Sequence, residues 1–587
     1  MKILLLFKTN PLIVNIQQNI IPNGLRYIAA LLLKNNIDTE ILSLSNKGWK
    51  ECEGIIREKN PDIIGIGCYT FNRHTCVKLA NLVKTINRDI KVIFGGPHAS
   101  IMYNQLMENY GDVDVIVFNE GEITFLDVVQ ELNEGRSLKN IKGIAYRFDN
   151  GIINNGFREP LENLDELPIP ANHFRYKRII TSRGCPGRCV FCDTPNLWGQ
   201  KIRLRSAKNV VDELEILNKK YDISSFIISD DTFTFDKNRT IDICKEIIKR
   251  NLKITWDCRS RVNLVCEDRL RWMKKAGCVT ISYGIESGSQ KILNNLKKGI
   301  TIEQIRKAAE LTRRLGFNLN YFIIVGSPGE TDDTIRETMK LIEETKPIST
   351  FTYVMQLTPG TGIYGLAKDQ KFIYDSDWVE REDETIFYTK EKSLQELNRY
   401  VQHINEFVRI LKAKFQYNEG ELKKIMDNGK GVQDLINLAH IQMKSKKFDD
   451  ALELINEAII LNCSSSEALM NKAVLLAMKN DSSCIDFFDK AITTDSENLI
   501  AYKNKGIFLF KQGKYDEAID VFKMAIEVEP ANIELCNHLG EIYGTKGEYD
   551  SAIKIFKKIL SFSPNNKLVI NNLAITFEKK RESWKGS

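Results

Sequence analysis

Three cysteines within a span of eight residues place the strongest constraint on how this chain folds. Cys185, Cys189 and Cys192 lie in the segment TSRGCPGRCVFCDTP with the spacing C-x3-C-x2-C. Thiolates at such spacing are suited to an iron–sulfur cluster. Three ligands on a four-iron cluster leave one iron open, and an open metal position is where chemistry takes place. Residues 185–192, the cluster loop, are therefore predicted to form a metal site.

A structural zinc site is the alternative for the cluster loop. Structural zinc takes four protein ligands. The nearest histidine, His173, lies twelve residues upstream of the first cysteine, and the next cysteine is Cys244. The spacing therefore favours a cluster on three thiolates over a closed zinc site.

The cluster loop closely resembles the motif of the radical S-adenosylmethionine (SAM) superfamily. The resemblance implies a [4Fe–4S] cluster whose open iron binds the amino and carboxylate groups of SAM, and an electron that cleaves SAM to a 5′-deoxyadenosyl radical. It implies that Phe191, just before the last cysteine, packs on the SAM adenine. An electron donor such as a ferredoxin or flavodoxin is implied as a partner.

The composition narrows the class of protein. A length of 587 residues predicts several domains, and 43% hydrophobic with 27% charged residues describes an ordinary soluble chain. The net charge of +6 is too weak to predict nucleic-acid binding. No uninterrupted apolar run reaches membrane-spanning length. The 13 scattered cysteines fit a reducing compartment, so we expect a cytoplasmic protein without a membrane span.

Residues 1–150 alternate short apolar runs with helical patterns, which predicts a parallel, doubly wound sheet. The candidate strands are 2–7, 39–44, 62–68, 91–96 and 113–118. Ligands of such sheets lie at the carboxyl ends of the strands. Those ends carry Thr70 and the segments GGPHAS (95–100) and NEGEIT (119–124).

These strand ends resemble those of the cobalamin-binding domain that precedes many radical SAM cores. The matching segments are PNGLRYIAALL (22–32), PDIIGIGCYT (61–70), GGPHAS and EGEIT (120–124). The resemblance implies cobalamin as a second cofactor. The residues that it implies for cobalamin are Thr70, Gly95, Gly96, His98, Glu120, Gly121 and Glu122.

One departure from the family concerns the lower face of the cobalt. Cobalamin domains that supply a histidine ligand carry the motif D-x-H-x-x-G, and none of the six histidines here follows an aspartate at that distance. His98 has Gly96 and Ile101 where the aspartate and the glycine of the motif would stand. We therefore expect that no histidine ligates the cobalt, and that His98 contributes to the site only as a strand-end residue.

Residues 151–175 form a predicted connector, and residues 176–390 a predicted core of six strand–helix units. The candidate strands are 177–183, 225–230, 253–259, 279–286, 320–326 and 352–359. Six units are too few for an eight-stranded barrel and suit the open (β/α)6 partial barrel of radical SAM enzymes. The cluster loop follows the first strand, on the face where barrel enzymes keep their active sites.

Further landmarks of the superfamily follow in order at the strand ends. They are SDDTFT (229–234), DCRSRV (257–262), GIESGS (284–289) and VGSPGET (325–331). The resemblance implies that Asp231 and Arg261 bind SAM, that Glu286 bonds its ribose hydroxyls, and that Gly326 lies along its adenine. Charge-assisted hydrogen bonds suit the charged groups of SAM. The alternative for the charged residues is a surface ion pair.

Residues 430–587 repeat with the period of tetratricopeptide motifs. Four segments align on Ala451, Cys484, Ala518 and Ala552, at spacings of 33, 34 and 34 residues. This period predicts two antiparallel helices per repeat, with small residues where the helices touch. The concave face of such an array predicts a peptide or protein partner, with self-association as the alternative. Residues 391–429 are predicted to be a helical bridge.

The whole chain therefore resembles a cobalamin-dependent radical SAM enzyme, of class α/β plus all-α, with a C-terminal tetratricopeptide solenoid. The first hypothesis is methyl transfer to an unactivated carbon through the deoxyadenosyl radical and methylcobalamin. A non-methylating cyclase or rearrangement enzyme is one alternative. A second is a methylthiotransferase-like enzyme with another cluster on Cys52, Cys68 and Cys76. A third is an interaction scaffold with an inactive enzyme region.

Overall fold

The computed structural model describes residues 1–9, 20–149, 151–381, 385–414, 419–426, 431–563 and 566–585. Residues 150 and 430, at two of the predicted domain boundaries, lie outside these ranges. The chain forms two compact units. The first comprises residues 1–8, 21–44 and 48–434, and the second comprises 9–20, 45–47 and 435–587.

The first sheet of the first unit is covered by helices on both faces. Its strands are β1 Lys2–Phe7, β2 Asp38–Ser43, β3 Ile63–Gly67, β4 Lys91–Gly95, β5 Val115–Val117, β6 Ile144–Phe148 and β7 Gly151–Asn154. Its helices are α1 Asn23–Lys34, α2 Trp49–Lys59, α3 Arg73–Ile86, α4 Pro97–Ile101, α5 Tyr103–Asn109 and α6 Gly121–Asn133. Leu4 and Leu6 pack into one apolar cluster and Ile3 and Leu5 into another, so β1 is buried on both sides.

The strand order is β2-β1-β3-β4-β5-β6-β7. The first five strands in sequence pair in parallel, which confirms the doubly wound prediction. The antiparallel hairpin of β6 and β7 extends the sheet to Asn154, past the predicted boundary at residue 150. This hairpin was not predicted, because its two strands follow each other without a helix between them.

The second sheet is the predicted partial barrel. Its region contains β8 Arg178–Ile179, β9 Ser182–Arg183, β10 Arg203–Leu204, β11 Ser225–Ile228, β12 Thr255–Ser260, β13 Cys278–Glu286, β14 Asn318–Val325 and β15 Ser349–Val354. Its helices are α7 Thr194–Trp198, α8 Ala207–Tyr221, α9 Lys237–Lys249, α10 Glu267–Lys275, α11 Gln290–Asn295, α12 Ile302–Arg314, α13 Asp332–Thr345, α14 Gly362–Asp369, α15 Asp377–Glu380 and α16 Leu394–Lys414.

Six parallel strands form the open barrel sheet in the order β8-β11-β12-β13-β14-β15. The segment read as one first strand instead divides into β8 and β9, and β9 pairs with β10 in a small antiparallel sheet around the cluster loop. Part of the predicted bridge belongs to the barrel, since Leu397, Ile404 and Val408 of α16 lie in its apolar core.

Helix α17 Glu419–Met426 still belongs to the first unit. The helices of the repeat array follow it, and they are α18 Val432–Lys444, α19 Phe448–Leu461, α20 Ser466–Met478, α21 Cys484–Thr494, α22 Leu499–Lys511, α23 Tyr515–Val528, α24 Ile533–Lys546, α25 Tyr549–Phe562 and α26 Lys567–Lys585. The four aligned small residues are all fully buried where helices pack, which confirms the repeat prediction. No helix in the described ranges is long and apolar enough to span a bilayer.

Two glycines of the array lie against phenylalanine rings 34 residues apart. A Cβ atom on Gly506 of α22 would lie 2.5 Å from the ring of Phe522, and one on Gly540 would lie 2.5 Å from the ring of Phe556. The phenylalanine of the second helix therefore fills the space that a side chain on the first helix would need.

We predict that Gly506→Ala destabilises α22 and α23 by about 1–3 kcal/mol through overpacking against Phe522. Hydrogen exchange of the amides in these two helices, measured in the full chain, should show the loss. Gly544→Ala is the matched control, because its Cβ would meet only Thr576 Oγ1, at 3.8 Å. That change should instead stabilise α24 by about 1 kcal/mol. Equal exchange in the two variants would contradict the packing argument.

Candidate functional site

The cluster loop is held at its base by a buried carboxylate at the end of β11. The side chain of Asp230 accepts hydrogen bonds from the backbone N–H of Thr181 at 2.6 Å and from the hydroxyl of Ser182 at 2.6 Å. Asp230 thus fixes the segment that leads into the loop. Of the two carboxylates predicted at this strand end, it has a positioning role, which leaves Asp231 as the candidate for a ligand.

The three cysteines of the loop fit an iron–sulfur cluster. All three are free thiols and partly exposed. The Cys185 sulfur lies 3.3 Å from the hydroxyl of Thr232, and the guanidinium of Arg261 lies 3.9 Å from the Cys189 sulfur. In the described part of the chain, no three His, Cys, Asp or Glu side chains are placed to share one metal ion. Three partly exposed thiols in one short loop are the donor set that an iron–sulfur cluster takes.

The structure brings three of the SAM candidates together beside the loop. The ammonium of Lys298 lies 2.7 Å from Glu286 Oε1 and 5.8 Å from the centre of the Phe191 ring. Lys298 engages one oxygen of the Glu286 carboxylate, and the second can accept hydrogen bonds from a ligand. Arg261 donates from Nη2 to the backbone carbonyl of Lys298, which ties this group to the cluster loop.

Asp231 lies at the same edge of the barrel, with its side chain accessible to a ligand. The surrounding protein, together with the neighbouring Asp230 and Asp193 carboxylates, raises the pKa of its carboxyl group to about 6. A cationic group of a ligand would favour the charged form of Asp231 by offsetting this repulsion.

Gly326 lies at the end of β14 with a φ of +84°, in the region that favours glycine. A Cβ atom here would lie 2.9 Å from a methyl group of Leu397. Its backbone N–H donates to the carboxylate of Glu330, and burial raises the pKa of that carboxyl group to about 7. The backbone at Gly326 is therefore held in a fixed and crowded position, in which a larger residue would not fit.

A cavity of about 170 Å³ opens at the carboxyl end of the first sheet. Its lining is largely apolar, with glycines from two strands, and it includes the predicted cobalamin residues Gly95, Gly96, Glu120, Gly121 and Glu122. An apolar, glycine-lined cavity fits the bulky apolar part of an organic cofactor. These five predicted residues therefore lie around one cavity, and their role toward cobalamin stays a prediction.

Thr70 and His98 are not among the residues that line this cavity. The Thr70 hydroxyl lies 3.2 Å from His98 Nδ1, and the His98 ring packs edge-on against Trp378 at 5.8 Å. Burial lowers the pKa of His98 to about 3, so its ring is neutral. This surrounding agrees with the expectation that His98 acts as a strand-end residue.

A buried ion-pair network joins this cavity to the cluster loop. It consists of Arg183 and Arg203 from the barrel region and Glu120 and Glu122 from the first sheet. Arg183 lies 2.8 Å from Glu120 Oε2 and 2.5 Å from Glu122 Oε1, and Arg203 also bonds Glu120. All four side chains are at most 10% exposed. Two residues after Arg183 comes Cys185, so the network fixes the start of the cluster loop against the cofactor cavity.

Aromatic rings enclose the guanidinium of Arg183. It lies 4.9 Å from the Trp198 ring and 5.7 Å from the Tyr27 ring. Burial alone would lower the pKa of Arg183, but Glu122 and Glu120 outweigh burial and raise it. The arginine therefore stays charged, and its two carboxylate partners are needed to offset the loss of solvation.

The proposed second cluster site has no support from its surroundings. Cys52, Cys68 and Cys76 are all fully buried in one apolar cluster of the first sheet. The thiol of Cys76 donates to the carbonyl of Gly67 at 3.5 Å. These three cysteines have the surroundings of ordinary core residues.

Sequence reasoning missed Lys298, Arg183 and Arg203. Lys298 lies in the segment LKKGIT, a short distance after GIESGS, where a basic residue near a predicted ligand site is a usable signal. Arg183 directly precedes the glycine before Cys185 and could have been examined for that reason. The partner of Arg203 is 83 residues away in sequence, so no local pattern could have identified it.

We predict that Glu122→Gln loosens the start of the cluster loop. The change leaves the buried Arg183 with one charged partner fewer, at a cost of about 3 kcal/mol. Hydrogen exchange of the amides around residues 182–190 should then be roughly 100-fold faster in the full chain.

Glu162→Gln is the matched control for this prediction. Its carboxylate pairs with Lys201, and both side chains are at least 67% exposed. Exposed ion pairs contribute little to stability, so exchange should change little. The same modest effect in both variants would show that the buried network does not hold the loop.

Comparisons with known proteins agree with this geometry. The model of the radical SAM superfamily matches residues 179–342, and that of the B12 binding domain matches residues 9–129. Tetratricopeptide repeat models match residues 500–532 and 533–566. The three predicted regions thus each correspond to a known family.

Individual relatives match a large part of the chain. An uncharacterized methyltransferase of Pyrococcus horikoshii is 34% identical over 372 residues, which are 61% of this chain and 80% of the relative. An anaerobic magnesium-protoporphyrin IX monomethyl ester cyclase of Rubrivivax gelatinosus is 31% identical over 352 residues, which are 56% of this chain and 62% of the cyclase.

Among solved structures, the radical SAM methyltransferase TsrM from Kitasatospora setae, with cobalamin and a [4Fe–4S] cluster bound, has a similar fold. The TM-score is 0.54 at 20% identity, over 63% of this chain and 75% of that chain. The predicted fold, enzyme class and cofactors are confirmed. The chain belongs to the cobalamin-dependent radical SAM enzymes, which use a [4Fe–4S] cluster, SAM and cobalamin, and it carries tetratricopeptide repeats in addition.

Proposed function

We propose that this enzyme transfers a methyl group from SAM to an unactivated carbon of its substrate. The observation that carries the proposal is the buried ion-pair network, which holds the cofactor cavity of the first sheet directly against the cluster loop. Methyl transfer through cobalamin needs both cofactors to act on one substrate, and a fixed arrangement serves that need. The methyltransferase relative from Pyrococcus horikoshii supports the same outcome.

When bound, the cluster supplies the electron that cleaves SAM and cobalamin supplies a carrier for the methyl group. We assign Cys185, Cys189 and Cys192 as the cluster ligands. The candidates for SAM keep distinct roles. Glu286 accepts hydrogen bonds from the ribose, and Phe191 packs on the adenine.

The remaining SAM candidates surround the same position. Arg261 orients the loop through the carbonyl of Lys298, and Asp231 offers a carboxylate to the SAM ammonium. The backbone around Gly326 lies along the adenine. The apolar cavity of the first sheet receives cobalamin, with Gly95, Gly96 and Gly121 allowing close approach.

We further propose two partners. A ferredoxin or flavodoxin supplies the electron to the cluster. The helical repeats recruit a peptide or protein, since arrays of this kind present extended concave surfaces for binding.

Oxidative cyclisation is the second candidate, because the cyclase of Rubrivivax gelatinosus is nearly as similar as the methyltransferase. The two functions differ in how they use SAM. Methyl transfer turns SAM into both S-adenosylhomocysteine and 5′-deoxyadenosine, whereas cyclisation forms only the second product.

We predict that anaerobically reconstituted enzyme, given a strong reductant and SAM with a deuterated methyl group, forms both products. With an extract of cells lacking this protein, mass spectrometry should show one compound that gains a deuterated methyl group in place of hydrogen. The variant with all three cluster cysteines changed to alanine should lose the iron and both activities.

Formation of 5′-deoxyadenosine without S-adenosylhomocysteine would contradict methyl transfer and favour oxidative cyclisation. Absence of both products from protein that carries iron and cobalt would support the inactive scaffold. If the triple variant still carried enough iron for one cluster, that iron would belong to a second site and would point to a methylthiotransferase-like enzyme.

We predict that Gly284→Ala weakens SAM binding. A Cβ atom at this position would lie 2.5 Å from Glu286 Oε1 and 3.0 Å from Lys298 Nζ, so the ion pair has to move. Loss of one charge-assisted hydrogen bond costs about 1.5–3 kcal/mol, or roughly a tenfold or greater rise in Kd. Equilibrium dialysis with labelled SAM would measure the change.

Gly365→Ala is the matched control, because nothing lies within 4 Å of its Cβ position. It should leave the Kd for SAM unchanged. Unchanged affinity in Gly284→Ala, with its full iron content, would remove Glu286 from the SAM site.

A further inference from the structure

The inner face of the barrel sheet carries a group of residues to which neither SAM nor cobalamin has been assigned above. On β12, Trp256 and Cys258 pack outward into the apolar core, so Arg259 lies on the opposite, inner face. By the same alternation Phe322 of β14 lies on that face, because Tyr321 and Ile323 pack outward.

The last strand adds two aromatic residues to this face. Thr352 and Val354 of β15 are buried on the outer side, which places Phe351 and Tyr353 inward. The ring of Phe351 stacks on that of Phe322, with centres 5.2 Å apart and planes 25° apart. Tyr353 is 37% exposed, so the inner face is open at this strand.

Arg259 reaches this aromatic pair across the strand between them. In the register of the sheet, Arg259 is opposite Ser282 of β13, and Gly284 of β13 is opposite Phe322. The small residues on β13 leave room for the long side chain to cross. Its guanidinium lies 5.4 Å from the centre of the Phe322 ring.

The charge of Arg259 has no partner in direct contact. In the described part of the chain no carboxylate oxygen lies within 4 Å of its guanidinium, although Asp231 is near enough to influence its pKa. Burial lowers the pKa of Arg259, and the nearby Arg178 lowers it further. A half-buried guanidinium in this setting is stabilised by an anion that binds beside it.

The end of β12 places Arg259 close to the cluster loop. Two residues after Arg259, the guanidinium of Arg261 lies 3.9 Å from the Cys189 sulfur. A molecule bound on the inner face beside Arg259 therefore lies next to the place where SAM is cleaved. This is the position that a substrate has to take.

We propose that this inner face binds the substrate through an anionic group paired with Arg259 and a flat, unsaturated part stacked on Phe322 and Phe351. The anion is an oxyanion, a carboxylate or a phosphate, which arginine binds with two parallel hydrogen bonds. The anion site is argued without the proposed function, and only the identification of its ligand as the substrate rests on that function. The rival occupant is the carboxylate of SAM, which the experiment separates.

The test uses anaerobically reconstituted holoenzyme and three small probes, with and without saturating SAM. Benzoate and phenyl phosphate carry the two oxyanions, and benzamide is the neutral match for benzoate. Binding is measured by calorimetry for the unchanged enzyme, for Arg259→Gln and Arg259→Lys, and for Arg336→Gln. Arg336 is the control, because its side chain is 69% exposed and pairs with Asp333 on the surface.

We expect at least one anionic probe to bind roughly tenfold or more tightly than benzamide, in the presence of SAM as well. Arg259→Gln should abolish this difference, Arg259→Lys should keep part of it, and Arg336→Gln should keep all of it. The tighter of the two anions identifies the carboxylate or the phosphate as the group that the site takes.

Equal binding of benzoate, phenyl phosphate and benzamide would overturn the proposal. So would anion binding that survives Arg259→Gln. Displacement of the probes by SAM, together with weaker SAM binding in Arg259→Gln, would assign Arg259 to SAM instead. If the anions bind through Arg259 but no S-adenosylhomocysteine forms, the anion site stands and methyl transfer fails.

Discussion

The ion pairs between Arg183, Arg203 and the carboxylates of Glu120 and Glu122 are the interaction on which the rest of this structure depends. They are buried, so removing one partner leaves a charge without solvent or counter-ion. They also span two sheets that are each complete without the other. A buried charge network tolerates little displacement of its members, and it therefore defines the geometry between the two sheets more sharply than apolar contact would.

The same ion-pair network links the cavity of the first sheet to the cluster loop. Glu120 and Glu122 line the cavity of the first sheet, and Arg183 leads into the first cluster cysteine. The resemblance assigns both glutamates to cobalamin, and the structure shows them already engaged with arginine. A cofactor that enters the cavity thus meets carboxylates whose positions are set by the cluster region. Cavity and cluster loop are in this way parts of one site.

Much of this fold could be predicted from sequence, because its strands and helices follow apolar patterns that repeat locally. The five parallel strands, the six barrel strands and the 34-residue repeats all have such patterns. The β6–β7 hairpin was missed because it departs from strand–helix alternation. The packing of α16 on the barrel was missed for another reason, since its charged surface concealed a narrow apolar stripe of Leu397, Ile404 and Val408.

The residues of the candidate site also differ in how far the sequence predicts them. Cysteine spacing and strand-end motifs single out Cys185, Glu286 and Gly326 as candidates, because each belongs to a short local motif. Arg259 acquires its surroundings only when distant strands align, because the sheet register brings β12 and β14 to either side of β13 and so places Arg259 beside Phe322. Small residues on β13 make this possible, as Gly284 gives its space to the Glu286–Lys298 pair and lets the Arg259 side chain reach Phe322. The polar inner face of the barrel therefore depends on the small side chains of β13 as much as on the charged side chains around them.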